Sequence, residues 1–139
     1  MQWEEVLSSD QRRLQEIGSQ WGINHLALED LINRNQRAKI EDFENHHLLV
    51  WFALFEDSVH EIQFLFFSDK ILCVPDSPPP SGKTWFEYLR LSDSSKDVEH
   101  LLYSALDRLT DLTAACLKPY FERIEQFEVT LFDEKQDPK

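Results

Sequence analysis

Eight consecutive apolar residues, at positions 48–55, form the longest such run in the chain, and they leave few options for the fold. A membrane-crossing helix needs about 18 or more, so this run does not span a bilayer. Its aromatic and partly β-branched composition fits a strand buried on both faces. Glu56-Asp57-Ser58 turns the chain, and residues 61–67 return beside the first run, antiparallel because the connection is short. Ser68-Asp69-Lys70 turns it again into Ile71-Leu72-Cys73-Val74. The three runs read as a meander, and a sheet buried on both sides requires a layer of helices on each.

The flanking sequence supplies those helices. Residues 3–7 read as a short strand. Ser8-Ser9-Asp10 then offers N-cap oxygens for a helix ending at Trp21, with Leu14, Ile17 and Trp21 on one stripe and Gly22 as its stop. A second helix spans about 25–33 and turns Leu28, Leu31 and Ile32 inward. Ile40-Glu41-Asp42-Phe43 reads as another short strand. Four of the six prolines fall in residues 75–82, which is a loop, and residues 85–91 form a short helix. From about Lys96 the helical pattern is strong: Val98, Leu101, Leu102, Ala105, Leu106, Leu109, Leu112 and Cys116 make one apolar face. Pro119 is expected to kink or restart this helix. Beyond it Phe121, Ile124, Phe127 and Leu131 continue the stripe past any sheet that could cover it. The sequence therefore predicts a three-layer α/β/α fold with a mixed central sheet over residues 1–118, followed by an outrunning helix over 119–139.

Charge and cysteine content narrow the function. Fourteen basic against 26 acidic residues give a net charge of −12, which repels phosphate backbones and anionic lipid. No nucleic-acid partner is expected. Cys73 and Cys116 stand 43 residues apart in apolar sequence and read as buried free thiols of a reducing compartment. The N-terminus shows no basic region followed by an apolar stretch, so no signal peptide is expected.

Several polar residues recur at offsets that core periodicity does not demand. They are Leu28-Glu29-Asp30, then Gln36-Arg37-x-Lys39-x-Glu41, Phe43-Glu44-Asn45 before the long strand, and Leu101-Leu102-Tyr103-Ser104-Ala105-Leu106-Asp107. Together they resemble the CorA family of divalent-cation transporters over about residues 21–75 and 97–132. The departures are Asn24-His25 for the usual His-Pro start, Asn35 where His is common, and Ala38 for Pro. The resemblance implies a cytosolic α/β/α funnel domain and the start of a stalk helix, ending before two C-terminal membrane helices. It also implies a homo-pentamer at the cytoplasmic face of the inner (plasma) membrane, and no catalytic activity.

By the same resemblance Glu29, Asp30 and Asp107 are metal residues at regulatory sites between subunits. Hard carboxylate oxygens suit Mg2+, which keeps several waters and needs few protein ligands; Co2+, Ni2+ or Zn2+ are alternatives. The plainer reading makes Glu29 and Asp30 ordinary exposed helix acids. The remaining candidates favour structural roles. Gln36, Arg37 and Lys39 are expected to fix a turn, with Arg37 pairing an acid. His46-His47 would chelate one zinc ion poorly, since adjacent strand residues point to opposite faces. Ser81-Gly82-Lys83-Thr84 mimics the end of a phosphate loop, but Pro78-Pro79-Pro80 removes the N–H groups such a loop needs. Glu122, Glu125 and Glu128 read as a solvated helix face. The function expected is a cation-sensing, gating domain; a stand-alone interaction module of the same fold, or a domain of a zinc-transporting relative, is the alternative.

Overall fold

A computed structural model describes residues 2–33, 37–92 and 97–136. Five strands form one sheet in the order β1-β5-β4-β3-β2. The meander is β3 (His47–Phe55), β4 (Ser58–Phe66) and β5 (Lys70–Pro75), antiparallel throughout. Edge strand β2 (Lys39–Asp42) pairs antiparallel with β3. On the other edge β1 (Gln2–Glu5) lies parallel to β5, which makes the sheet mixed.

Period-two alternation divides the strands between two cores. Leu48, Val50, Leu65, Leu72 and Val74 face α1 (Gln11–Trp21) and α2 (His25–Ile32), meeting Leu14, Ile17, Ala27 and Leu31. Ala53, Phe55, Ile62, Phe64, Ile71 and Cys73 face the opposite layer, where α3 (Trp85–Tyr88) and α4 (Val98–Gln136) bring Trp85, Leu101, Leu102, Ala105 and Leu109. This is the three-layer arrangement the hydrophobic pattern demands. Strand β3 is covered on both faces only in part. Phe52 belongs to neither core and is 37% exposed, because the α1–α2 layer does not reach the far end of the β3–β4 hairpin.

Caps and close approaches fix the helices. The Asp10 side chain accepts from the Arg13 N–H, and Gly22 closes α1 in the left-handed region (φ 65). Gly18 lets α1 and α2 meet, since a Cβ there would stand 2.8 Å from Leu28 Cδ2. Leu28 and Ile32 are only partly buried, whereas Ala27 and Leu31 carry the inward face of α2. The hairpin between β3 and β4 turns on Glu56 and Asp57, both at positive φ (51 and 59), as a two-residue turn twisted to match its strands requires.

Helix α4 continues through Pro119 without a restart. The missing N–H removes one bond, and the intact turns on either side carry the helix on. Its buried face ends at Leu109, with Leu106 and Leu112 partly buried. The last ties to the sheet are the Leu54 N–H donating to Thr113 Oγ1 (3.0 Å) and the Tyr120 hydroxyl donating to Asp57 Oδ1 (3.0 Å). Past them Phe121, Ile124, Phe127, Val129, Leu131 and Phe132 are all exposed.

Two long-range clamps hold α3. The Glu5 carboxylate accepts from the Trp85 N–H (2.6 Å), the Phe86 N–H (3.2 Å) and Trp3 Nε1 (3.2 Å). Burial pushes the Glu5 carboxyl above its ordinary value, and these three donors oppose that rise. At the other end Arg108 of α4 donates to the Leu89 and Arg90 carbonyls. Because Glu5→Ala strands three donors, it is expected to destabilise the fold by about 1–3 kcal/mol in urea denaturation.

Candidate metal centre

Helix α2 carries the acidic pair. Its start is set by the Asn24 side chain, which accepts from the Leu26 N–H at 2.8 Å. With Ala27 and Leu31 buried beneath it, helical geometry leaves Glu29 exposed and Asp30 at the rim. Asp30 Oδ2 lies 3.2 Å from Lys39 Nζ, and Lys39 Nζ lies 2.7 Å from Glu41 Oε1. The hydrogen bond that Lys39 donates to Glu41, then that to Asp30, raises the lysine above its ordinary value despite the opposing effect of burial. Beneath, Gln63 on β4 donates Nε2 to the Asp30 carbonyl at 3.1 Å.

The three expected metal residues do not come together in one chain. Glu29 and Asp30 lie in the α1–α2 layer, while Asp107 is exposed on α4, across the sheet. Among the described residues no group of three or more His, Cys, Asp or Glu is placed to hold a metal ion. The donors are the hard oxygens that Mg2+ prefers, but a single chain supplies too few at any one point. What the structure does assemble is an Asp30–Lys39–Glu41 cluster joining α2 to β2.

The other candidates sort plainly. Gln36 lies outside the described residues. Among the described residues Lys39 pairs with Asp30, because strand β2 places it beneath that side chain, while Arg37 precedes the strand and is exposed. His46 and His47 do point apart. His46 is 2% exposed and stacks on Phe43 (5.2 Å) and Phe67 (4.8 Å), whereas His47 Nδ1 meets Asp42 Oδ1 at 2.6 Å. His60 stacks on Phe55 at 4.3 Å and reaches Ser77 Oγ at 3.2 Å, a structural setting. Residues 81–84 lead into α3, whose first N–H groups are already taken by Glu5. A phosphate would find that position filled by a carboxylate. Glu122, Glu125 and Glu128 are exposed. Both cysteines are free; Cys73 is buried and Cys116 partly so.

Sequence reasoning missed Glu5, Gln63 and Arg108. No local pattern marks Glu5, whose two main-chain donors lie 80 and 81 residues away. A Gln between the apolar residues Ile62 and Phe64 was a visible signal for Gln63.

His46 yields a pH test. Its Nε2 accepts from the Asn24 N–H (3.2 Å), so Nδ1 carries the proton toward Asn45 Oδ1 (2.7 Å), and the ring must be neutral. Burial, then the charge of His47, lowers its value below the ordinary 6.5. Unfolded His46 takes up a proton as pH falls below 6.5 while the folded ring resists it. Its contribution is therefore whole above that value and lost as pH falls toward the lowered folded value. Urea midpoints compared at pH 7.5 and pH 5, on the scale of an unperturbed histidine near about 6.5, should fall less in His46→Gln than in the unsubstituted chain.

Comparison with known proteins bears on the whole chain. The Cobalt/magnesium transport protein CorA of Thermotoga maritima is 30% identical over 83% of this chain and 35% of that protein. The soluble domain of CorA from Methanocaldococcus jannaschii superposes with a TM-score of 0.69 at 18% identity, over 94% of this chain and 55% of that one. The full-length CmaX protein superposes with a TM-score of 0.75 at 12% identity, over 99% of this chain and 43% of that one. At such identities these two likenesses concern the fold. The chain spans about a third of the curated relative's length, 35%, and no described helix is long and apolar enough to cross a membrane. A model of the family described as CorA-like Mg2+ transporter protein matches residues 1–139, and the chain belongs to that family.

Proposed function

We propose that this chain is the cation-sensing, gating domain of a divalent-cation transporter, held at the cytoplasmic face of a membrane by parts outside the sequence. Copies of it assemble around their α4 helices as a homo-pentamer. Transport of magnesium or cobalt is named for the Thermotoga maritima relative, and its extension to this protein is part of the proposal. The reading assigns the chain no catalytic step.

One observation carries it. Helix α4 keeps its apolar stripe after leaving the sheet, with Phe121, Ile124 and Phe127 all more than half exposed. Such a stripe on a family member favours packing against the same helix of another copy. Each copy brings a charge of −12, so association is opposed by electrostatic repulsion until cations intervene. Asp30 of one copy and Asp107 of the next supply carboxylates from opposite layers, which is the disposition a shared ion needs. A bound ion joins neighbours and holds the assembly closed; its loss frees them, a population shift driven by differential binding.

Limited proteolysis tests this. Raising Mg2+ to ten times its Kd should slow cleavage of the chain about tenfold, with a parallel rise in sedimentation coefficient. Asp30→Asn and Asp107→Asn should each abolish both responses. Protection that survives both substitutions would reject these residues as the sensor.

A further inference from the structure

We propose that Lys39 sets the affinity of Asp30 for a divalent cation: its ammonium is a tethered counter-ion that the metal must displace. This inference deepens the cation-sensing reading and rests on it.

The geometry supports an exchange. Lys39 Nζ sits between Asp30 Oδ2 (3.2 Å) and Glu41 Oε1 (2.7 Å), and both the Lys39 and Asp30 side chains are about three-quarters covered (27% and 25% exposed). In that setting their attraction is stronger than that of a fully exposed pair. An incoming divalent ion therefore meets an Asp30 that is already neutralised. The Glu41 contact is the shorter of the two. When metal takes Asp30, Lys39 keeps a carboxylate and no buried ammonium is stranded, so the swap proceeds without the heavy penalty of an unpaired charge.

The surroundings hold still while the side chains change partners. Gln63, 2% exposed, fixes the Asp30 main chain through its carbonyl. Its Oε1 is the one buried side-chain oxygen or nitrogen without a hydrogen-bond partner among the described residues. Displacement of Lys39 also removes the side-chain tie between α2 and edge strand β2. Occupancy at Asp30 is thereby communicated to the sheet.

The test uses Mn2+ as the probe and amide line broadening along α2 as the readout, on this chain and on Lys39→Met, Lys39→Gln, Lys39→Arg and Asp30→Asn. Removing the ammonium should lower the Mn2+ midpoint at Asp30 by roughly three- to tenfold, the scale of a partly screened ion pair acting against a divalent charge. Lys39→Arg should stay close to the unsubstituted chain, and Asp30→Asn should lose the broadening. The Gln variant repeats the measurement if Met disturbs the fold, which the amide spectrum reports directly. Broadening that depends on Asp30 but is unmoved in Met and Gln would overturn the role of Lys39 alone. Broadening that persists in Asp30→Asn would place the ion elsewhere and bring down the sensing reading with it.

Discussion

A helix longer than the surface that can bury it governs this molecule. The longest strands have nine residues and run about 30 Å at roughly 3.3 Å per residue. Helix α4 has 39 residues and runs about 58 Å at roughly 1.5 Å per residue. Half of it must project, whatever the side chains are. The first half behaves as a core helix, from Val98 to Leu109. The second half keeps the apolar content of a core helix and has no core. Glycine-free and anchored at Thr113 and Tyr120, it leaves the body in a direction the sheet sets.

That projection gives the acidic surface its meaning. A net charge of −12 on a lone domain is a solvating device. In the proposed assembly, where a shared apolar stripe draws copies together, it becomes an opposing force whose strength depends on cations. Asp30 and Asp107 lie on opposite sides of the sheet, so within a chain they do nothing together. The proposed function has them meet between copies. The role proposed for Lys39 adds a second level, because a carboxylate already paired would respond only above a threshold of competing cation.

Local features were legible in the sequence. Asp10 and Gly22 bounded α1, the meander followed from three apolar runs with short turns, and the outrunning stripe foretold the exposed end of α4. The recurrence of Leu28-Glu29-Asp30 and of Lys39 with Glu41 pointed to the family before any fold was in hand. Long-range choices were not legible. Nothing in Gln2–Glu5 says that it lies parallel to β5, since a strand's partner is set by tertiary packing rather than by its own alternation. Glu5 was invisible for the same reason, with its main-chain donors 80 and 81 residues away. The pairing of Lys39 with Asp30 turned on which residue the strand places beneath α2, and no periodicity rule decides that. Of the two outcomes expected at Pro119 the restart does not occur: the intrinsic preference against proline within a helix was real, yet the intact turns on either side outweighed one lost bond.

The central claim is that a divalent ion joins Asp30 of one copy to a carboxylate of another. Anomalous diffraction from crystals of the chain grown with Co2+ addresses it directly. The account predicts a cobalt peak within coordination distance of Asp30, about 2.0–2.2 Å for a carboxylate oxygen, with a second copy's carboxylate in the same shell and Lys39 moved to Glu41 alone. Crystals with bound cobalt elsewhere and the Asp30–Lys39 pair intact in every copy would contradict it.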